Sequence, residues 1–435
     1  MGDVDPYVPG HGDPTYDVTH YDLDLRYSLE GNRLDGTALL ECTIREETSE
    51  LRLDLHALDV SKVSVDGRAV KYRDRTGSLT VRLAKSIGPG ESVTVRVRYS
   101  GHPTQEKSRH LGAAGWEELT DGVIVAGQPH GAPSWFPCND RPSNKASYRI
   151  TVTAAAGYHV VANGRLTSSR RGSSAVTWVY EQTEPMATYL ASVHIGRYQV
   201  RTDDADADVP MHAVVPPRLV ATYDDAFGDQ RAMIDTFSRL FGPYPFGSYT
   251  VVVTDDDLEI PLEAQGLSAF GANFLTSDWD SVRLVAHELS HQWFGNSLTL
   301  GQWKDIWLHE GFACYAEWIW SEESGGPTAH ERAQDHHRRL SGLDQDVVLS
   351  DPGPELMFDD RIYKRGALTL HALRMTVGDD AFFALLRGWT DKHAHGTVNT
   401  AAFVEFAELS TGHDLAGLFD AWLDRTALPD LPHRS

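Results

Sequence analysis

The segment that decides the fold of this chain is His287-Glu288-Leu289-Ser290-His291, which is followed nineteen positions later by Glu310. Histidines four positions apart lie one above the other on a single face of a helix. Both imidazoles can therefore reach one metal ion, with Glu288 beside that ion. Glu310 can supply an oxygen ligand from a second helix. Two histidines and one glutamate leave a fourth zinc position open for water, which is typical of a catalytic site rather than a structural one.

Glu288 is predicted to act in proton transfer and not as a ligand. A carboxylate beside the metal can take the proton of the activated water and pass it to the leaving amine, first as general base and then as general acid. Glu317 lies seven positions after Glu310, on the same helix face. It is either a hydrogen-bond partner that orients a zinc histidine or a plain surface glutamate.

The residues around these two motifs carry a family resemblance. They are His287-Glu288-Leu289-Ser290-His291-Gln292-Trp293-Phe294-Gly295-Asn296 and Trp307-Leu308-His309-Glu310-Gly311-Phe312-Ala313. This pattern resembles the zinc site of the aminopeptidase N and leukotriene hydrolase family of gluzincins. The resemblance implies one zinc ion per chain, held by His287, His291 and Glu310. Residues 16–25 and 135–142 are similar to parts of the family's N-terminal saddle domain, so the resemblance spans nearly the whole chain.

The same resemblance implies two more site residues. Tyr363 matches the family's tyrosine motif and would donate a hydrogen bond to the oxyanion of the tetrahedral intermediate. The usual Glu and Lys after that tyrosine are Lys364 and Arg365 here. The alternative for Tyr363 is a packing role on an amphipathic helix. Gln128 resembles the N-terminal-domain glutamine that lines the amine pocket, and the alternative is a polar surface residue.

A glutamate that binds the free α-amine of the substrate is also expected from the resemblance. The family places it in a Gly-x-Met-Glu-Asn segment before the zinc helix, and Glu263 matches it here. Ile260 replaces the Gly, Leu262 the Met and Ala264 the Asn. Because glycine permits close approach of the backbone to substrate, these changes alter the site. Glu259 is a nearby alternative for the same role.

Size and charge limit the classes of partner. The chain has 435 residues, which predicts two or three domains, and 39 basic against 62 acidic residues give a net charge of −23. This balance argues against nucleic acid and anionic membranes as partners, whereas an acidic cleft would attract free amino termini. The polar start, residues 1–14, has no apolar signal segment, which predicts a cytoplasmic enzyme. A chain whose export signal has been removed would look the same.

The hydrophobic pattern predicts an α+β multidomain fold. Residues 16–200 read as alternating strands separated by turns such as Asp66-Gly67, which indicates an N-terminal all-β domain over residues 1–200. The acidic stretch 203–208 is predicted to be a linker or surface loop, with a calcium site as the alternative. Residues 201–435 then form a second domain, and the resemblance makes the two domains saddle-like and thermolysin-like. The elements of this second domain are predicted as a strand at 248–254 and helices at 223–241, 281–294, 305–322, 326–341, 362–376, 379–388, 399–410 and 414–426.

Many members of the family continue with a large C-terminal helical domain that covers the active site. This chain is predicted to be a short form that lacks it, so substrate gating by that domain is not carried over. The function predicted from these motifs is a zinc aminopeptidase, which hydrolyses the first peptide bond of peptides with a free N-terminus. The alternatives are a metallo-endopeptidase and a non-catalytic zinc-holding scaffold that binds partners through its β domain.

Overall fold

The computed structural model describes residues 4–203 and 207–432, so residues 204–206 of the acidic stretch lie outside the described residues. The chain forms two compact units. One comprises the described residues up to Val220 together with Phe246–Asn273. The other comprises Ala221–Pro245 and the described residues from Phe274 onwards. We call them the β unit and the helical unit.

The β unit is built from alternating sequences in which apolar residues face inward and polar residues face outward. Its strands are β1 Tyr16–Ser28, β2 Arg33–Ile44, β3 Thr48–Leu55, β4 Leu58–Val65, β5 Arg68–Ala69, β6 Tyr72–Arg75, β7 Gly77–Ile87, β8 Ser92–Gly101, β9 Glu106–Ser108, β10 Gly112–Leu119, β11 Gly122–Ala126, β12 Lys145–Ala155, β13 His159–Ala162, β14 Arg165–Arg171, β15 Ala175–Ala187, β16 Val193–Gly196, β17 Gln199–Asp203, β18 Met211–Val215, β19 Tyr249–Val253, β20 Leu262–Ala264 and β21 Leu267–Phe270.

The largest sheet has eight strands in the order β14-β15-β12-β1-β2-β8-β4-β5. In β1, Tyr21, Leu23 and Leu25 are buried, which agrees with the alternation in the sequence. Tyr21 stacks on Tyr148 of the neighbouring parallel strand β12, with ring centroids 4.8 Å apart. Two further sheets follow the orders β13-β16-β11-β10-β9 and β3-β7-β6. The predicted turn at Asp66-Gly67 has positive φ at both residues, 49° and 77°.

A five-stranded sheet in the β unit carries the predicted amine-binding glutamate. Its order is β17-β18-β19-β21-β20, so β20 is an edge strand. Strands β18, β19 and β21 run parallel, and their apolar side chains pack around Val252, Leu267 and Ala269. Glu263 is the central residue of β20. The packed apolar face therefore holds a short edge strand whose outer backbone is not paired within the sheet.

The helices and the last two strands complete the structure. They are α1 Val220–Ala226, α2 Gln230–Phe241, α3 Trp279–Ser290, β22 Thr299–Leu300, α4 Trp307–Glu323, α5 Ala329–Leu340, α6 Asp360–Val377, α7 Asp379–Lys392, β23 Thr397–Val398, α8 Thr400–Thr411 and α9 Ala416–Phe419. Six predicted helices correspond to α3–α8. The single helix predicted over 223–241 is wrong, because the chain turns at Phe227–Asp229 between α1 and α2. The central residue of this turn is a glycine, which has low helix propensity. The helix predicted over 414–426 is only α9 and a π-helical turn, Asp420–Asp424.

The predicted fold class is confirmed: an N-terminal all-β part is followed by a mainly helical part. The division between residues 200 and 201 stays a prediction. The three cysteines, Cys42, Cys138 and Cys314, are buried and form no disulfide bond. Within residues 4–203 and 207–432, no helix is long and apolar enough to span a membrane.

One buried arginine fixes the end of the described chain against α6. The guanidinium of Arg365 donates hydrogen bonds to backbone carbonyls of residues 421–427 and of Val347. Two of these bonds reach Trp422 O at 2.9 Å and Thr426 O at 2.6 Å. Burial lowers the pKa of Arg365 to about 10, so the group remains charged at neutral pH. The planar guanidinium donates several hydrogen bonds in fixed directions, whereas a lysine ammonium in the same place could not reach all of these carbonyls.

Arg365→Met should therefore destabilise the helical unit. Several buried carbonyls would lose their donors, and we expect a cost of about 3 kcal/mol, which lowers the melting temperature by about 6–12 °C. Thermal unfolding followed by circular dichroism measures this change. The matched control is Arg387→Met, because Arg387 is exposed on α7 and should tolerate the change. Equal melting temperatures for the two variants would contradict this role of Arg365.

Candidate metal centre

Helices α3 and α4 position the predicted metal ligands. Helix α3 begins after Asp278, whose side chain accepts a hydrogen bond from Ser281 N. His287 lies in the last turn of α3, and His291 follows directly at its C-terminal end with helical backbone angles. Glu310 lies in the first turn of α4. The spacing of four residues therefore places both imidazoles on one side of α3, facing α4.

The three side chains converge with the spacing that a zinc ion requires. Oε2 of Glu310 lies 3.3 Å from Nε2 of His287 and 3.5 Å from Nε2 of His291. In tetrahedral zinc sites, bonds of about 2.0–2.1 Å place neighbouring ligand atoms about 3.3–3.4 Å apart. All three residues are buried, and their ligand atoms lie within 4.8 Å of one another. The donor set and its spacing thus fit a zinc ion.

Hydrogen bonds orient both imidazoles toward the metal position. His287 Nδ1 lies 2.8 Å from Oε1 of Glu317, and His291 Nδ1 lies 3.0 Å from the carbonyl oxygen of Phe294. Because each Nδ1 donates its hydrogen to an oxygen, each Nε2 is left as a metal ligand. Glu317 is buried and also contacts Arg283 at 3.3 Å. The surface alternative for Glu317 is therefore wrong.

The electrostatics of the cluster favour a cation. Burial alone lowers the pKa of His287, but hydrogen bonds to Glu310 and Glu317 outweigh it and raise this pKa to about 9. Burial raises the pKa of Glu310, yet the charge of His291 and the hydrogen bonds of both histidines hold it well below its usual range. The carboxylates that favour protonated histidines would also attract a divalent ion. Binding of that ion would displace the protons from the histidines.

Glu288 and Tyr363 lie beside the ligands within the helical unit. Glu288 is buried on α3, and one of its carboxylate oxygens lies within 4.8 Å of a ring nitrogen of His291. The ring of Tyr363 is nearly parallel to that of His287, with centroids 6.0 Å apart. Gly311 of α4 and Gly366 of α6 bring these helices together, since a Cβ added to Gly311 would lie 2.8 Å from Gly366 Cα. That close approach places Tyr363 near the ligands.

The β unit brings together the two residues predicted to bind the amine. Gln128 Nε2 donates a hydrogen bond to Glu263 Oε1 at 2.5 Å. Glu263 is half-buried on β20, whereas Glu259 is exposed and precedes the strand. Asn163 holds the β20–β21 turn, because its Nδ2 donates to Leu190 O at 2.9 Å and to Gln265 O at 3.0 Å. The pairing supports Glu263 over Glu259.

Three contributions to these sites were not predicted. They are the carbonyl of Phe294, the guanidinium of Arg283 and the amide of Asn163. Arg283 lies four positions before His287 on α3, so its position on the same helix face was a usable signal. A backbone carbonyl and an asparagine distant in sequence leave no comparable pattern.

Comparison with known proteins agrees with this geometry. The Peptidase family M1 domain matches residues 226–422, and the Peptidase M1 N-terminal domain matches residues 17–190. Curated relatives include leucyl aminopeptidase of Saccharolobus solfataricus, 24% identical over 95% of this chain and 54% of that protein. Aminopeptidase N of Lactococcus lactis is 26% identical over 92% of this chain and 50% of its own length. The chain therefore spans about half the length of these relatives.

Solved structures match over the full length. An M1 zinc metallopeptidase from Deinococcus radiodurans is 32% identical, with a TM-score of 0.91 and 99% of each chain covered. A mutant of that enzyme bound to a Tyr-Ser-Ala substrate matches with the same TM-score of 0.91. The two family domains, the full-length structural match and a ligand group able to hold zinc lead to one conclusion. This chain belongs to peptidase family M1, the family of zinc metallopeptidases.

Proposed function

We propose that this chain is a zinc-dependent aminopeptidase that releases the N-terminal residue of peptides. The proposal rests above all on the convergence of His287, His291 and Glu310, whose ligand atoms have the spacing of a tetrahedral zinc site. When bound there, zinc supplies Lewis-acid activation of water and of the scissile carbonyl. Aminopeptidase names among the relatives support the proposal.

Glu288 is the proposed proton carrier. Its side chain lies on α3 and is buried, so the carboxylate is shielded from bulk solvent. In the proposed reaction one oxygen of this carboxylate accepts a proton from the attacking water. The same group then gives the proton to the nitrogen of the leaving amine, so that the peptide bond breaks without release of an amide anion.

Tyr363 is the proposed oxyanion donor. Its phenol can donate a hydrogen bond to the oxygen of the former carbonyl, where negative charge develops as water adds. The nearly parallel packing of its ring against His287 supports the proposal, because it limits the orientations that the phenol can take. The ammonium group of Lys364 contacts Sγ of Cys314. The guanidinium of Arg365 donates hydrogen bonds to backbone carbonyls. The two changes from the family motif are therefore compatible with this role.

Glu263 is the proposed anchor for the substrate amine. A carboxylate that pairs with the free ammonium group fixes the cleavage position one residue from the N-terminus. The hydrogen bond from Gln128 supports this role, since it orients the carboxylate of Glu263. The net charge of −23 also favours cationic N-termini over anionic ligands.

The endopeptidase alternative has a specific observation in its favour. Ile260, Leu262 and Ala264 replace family residues around Glu263, and Ile260 is 61% exposed. A substrate recognised mainly through this altered segment would not need a free amine. The scaffold alternative gains no comparable support, because partner binding would not require a buried Glu288 beside the metal ligands.

A peptide assayed in free and N-acetylated forms separates these functions. We expect cleavage of the first bond of the free peptide only, because acetylation removes the charge that Glu263 would pair with. Glu263→Ala should weaken recognition of the free amine by about 2–3 kcal/mol, which is the worth of a charge-assisted hydrogen bond. Mass spectrometry locates the cut, and kcat/KM measures the loss.

The matched control is Glu259→Ala, which should behave like the wild type. Internal cleavage of the acetylated peptide at a rate comparable to that of the free peptide would replace the aminopeptidase by an endopeptidase. If Glu259→Ala loses the preference for a free amine and Glu263→Ala keeps it, the two glutamates have been assigned in the wrong order. No cleavage of either peptide by the zinc-loaded wild type would favour the scaffold.

A further inference from the structure

A cavity of about 330 Å³ lies in the helical unit, behind the candidate metal centre. It is enclosed by the first turns of α3 and α6, the middle of α4 and the length of α5, and we call it the α5 cavity. Its charged lining comprises Arg283, Arg332, Arg339, Lys364, Asp280, Glu317, Asp335 and Asp360. Its apolar and aromatic lining comprises Trp279, Trp318, His336, Leu340 and Leu343. Glu317, the partner of His287, separates this cavity from the metal ligands.

The ammonium of Lys364 lies deeper in the α5 cavity than the carboxylates of Asp280 and Asp360. The side chain of Lys364 is 11% exposed, whereas those of Asp280 and Asp360 are 93% and 78% exposed. Glu317 is the one deeply buried carboxylate of the lining, and it already contacts His287 and Arg283. Exposed carboxylates are screened by water and buried charges are not. The interior of the cavity is therefore positive, although the formal charges of its lining cancel.

Two arginines of α5 that line the cavity add unused donors, the half-buried Arg332 and the exposed Arg339. Arg332 lies over the ring of Trp279, 4.1 Å from its centroid, and its Nε donates to Ser321. Within residues 4–203 and 207–432, neither terminal nitrogen of Arg332 has a hydrogen-bond partner, and Arg339 has no ion pair. A planar guanidinium with both terminal groups available is suited to bidentate contact with an oxyanion.

The walls of the cavity would suit an aromatic or aliphatic group. His336 stacks on Trp318 with ring centroids 5.1 Å apart and nearly parallel planes. Burial, together with the charges of Lys364 and Arg339, lowers the pKa of His336 to about 4, so this ring is neutral at pH 7. Leu340 and Leu343 line the same space. The volume is several times that of a phosphate ion, which leaves room for an attached group.

We propose that the α5 cavity is a binding site for a small oxyanion that carries an aromatic or apolar group. Arg332, Arg339 and Lys364 contact the anionic end, and Trp279 and the Trp318–His336 pair contact the apolar end. The site is separate from peptide hydrolysis and does not require that the proposed function be correct. Because Glu317 forms part of its wall, an occupant also lies next to the hydrogen bond that orients His287.

Titration calorimetry on the zinc-loaded protein tests this site with three probes: phenyl phosphate, inorganic phosphate and phenol. A saturating amino-acid hydroxamate is present throughout, so that phosphate cannot bind at the metal, and sodium chloride keeps the ionic strength constant. We expect one saturable site for phenyl phosphate. Inorganic phosphate should bind at least about tenfold more weakly, and phenol more weakly still, because each lacks one of the two contacts. Equal affinities for the two phosphates would overturn the apolar part of the proposal.

Variants separate the α5 cavity from other surfaces. Lys364→Met and Arg332→Met should each weaken phenyl phosphate by at least about tenfold, as expected for loss of one charge-assisted contact. Arg387→Met removes a charge of the same kind from α7 and should bind like the wild type. Melting curves identify a variant that does not fold, in which case Arg339→Met on the exposed face of α5 replaces it. No saturable binding up to about 10 mM would overturn the proposal. Unchanged binding in the folded cavity variants would overturn it equally.

Discussion

Glu288→Gln is expected to lower kcat/KM by at least about a hundredfold while zinc content and folding stay unchanged. The amide is nearly the same size as the carboxylate, but it cannot accept a proton from water. Glu288 lies on α3 beside His291, so its carboxylate is the group placed next to the metal position by that helix. Steady-state kinetics on an amino-acid anilide measure the loss, and metal analysis of the same sample measures the zinc.

A carboxylate elsewhere in the helical unit provides the control for this prediction. Glu405 is exposed on α8, and Glu405→Gln makes the same chemical change far along the chain from the candidate site. It should retain full activity. If Glu288→Gln stayed within about threefold of the wild type, the proton would have to be carried by another group.

Removal of a metal ligand should have the second large effect. We expect about one zinc ion per wild-type chain, and His291→Ala should lose most of that zinc together with its activity. His291 is buried, and its Nδ1 contacts the carbonyl oxygen of Phe294, so its Nε2 is oriented as a metal ligand that alanine cannot supply. Atomic absorption on dialysed protein measures the zinc content, and a chelator with later addition of zinc tests reversibility in the wild type.

His413→Ala is the matched control, because His413 is exposed and lies after α8. It should bind zinc like the wild type. Near-normal zinc in His291→Ala would show that the ion is bound at a different place. The ligand set of His287, His291 and Glu310 would then have to be revised.

Local patterns in the sequence were sufficient for the helices that carry the metal ligands. A spacing of four residues places His287 and His291 on the same face of α3, because the helical repeat is a property of the backbone itself. The alternation in β1 likewise determines that Tyr21, Leu23 and Leu25 are buried. Where local preferences were weak, as at Phe227–Asp229 and after Phe419, the predicted helices were wrong. After Phe419 the chain follows contacts that are distant in sequence, such as the hydrogen bond from Arg365 to the carbonyl of Trp422.

The sequence by itself determined the ligand types, their helical spacing and the family, all of which depend on residue identity and short-range backbone geometry. Only the tertiary structure decided that Glu317 orients His287, that Tyr363 packs against that imidazole and that Gln128 pairs with Glu263. These contacts join residues 30, 76 and 135 positions apart in the chain. They depend on how packed helices and sheets meet, for instance through the glycine contact between α4 and α6. Burial in turn strengthens the effect of neighbouring charges on the pKa values of these residues, because charges interact more strongly where water is excluded.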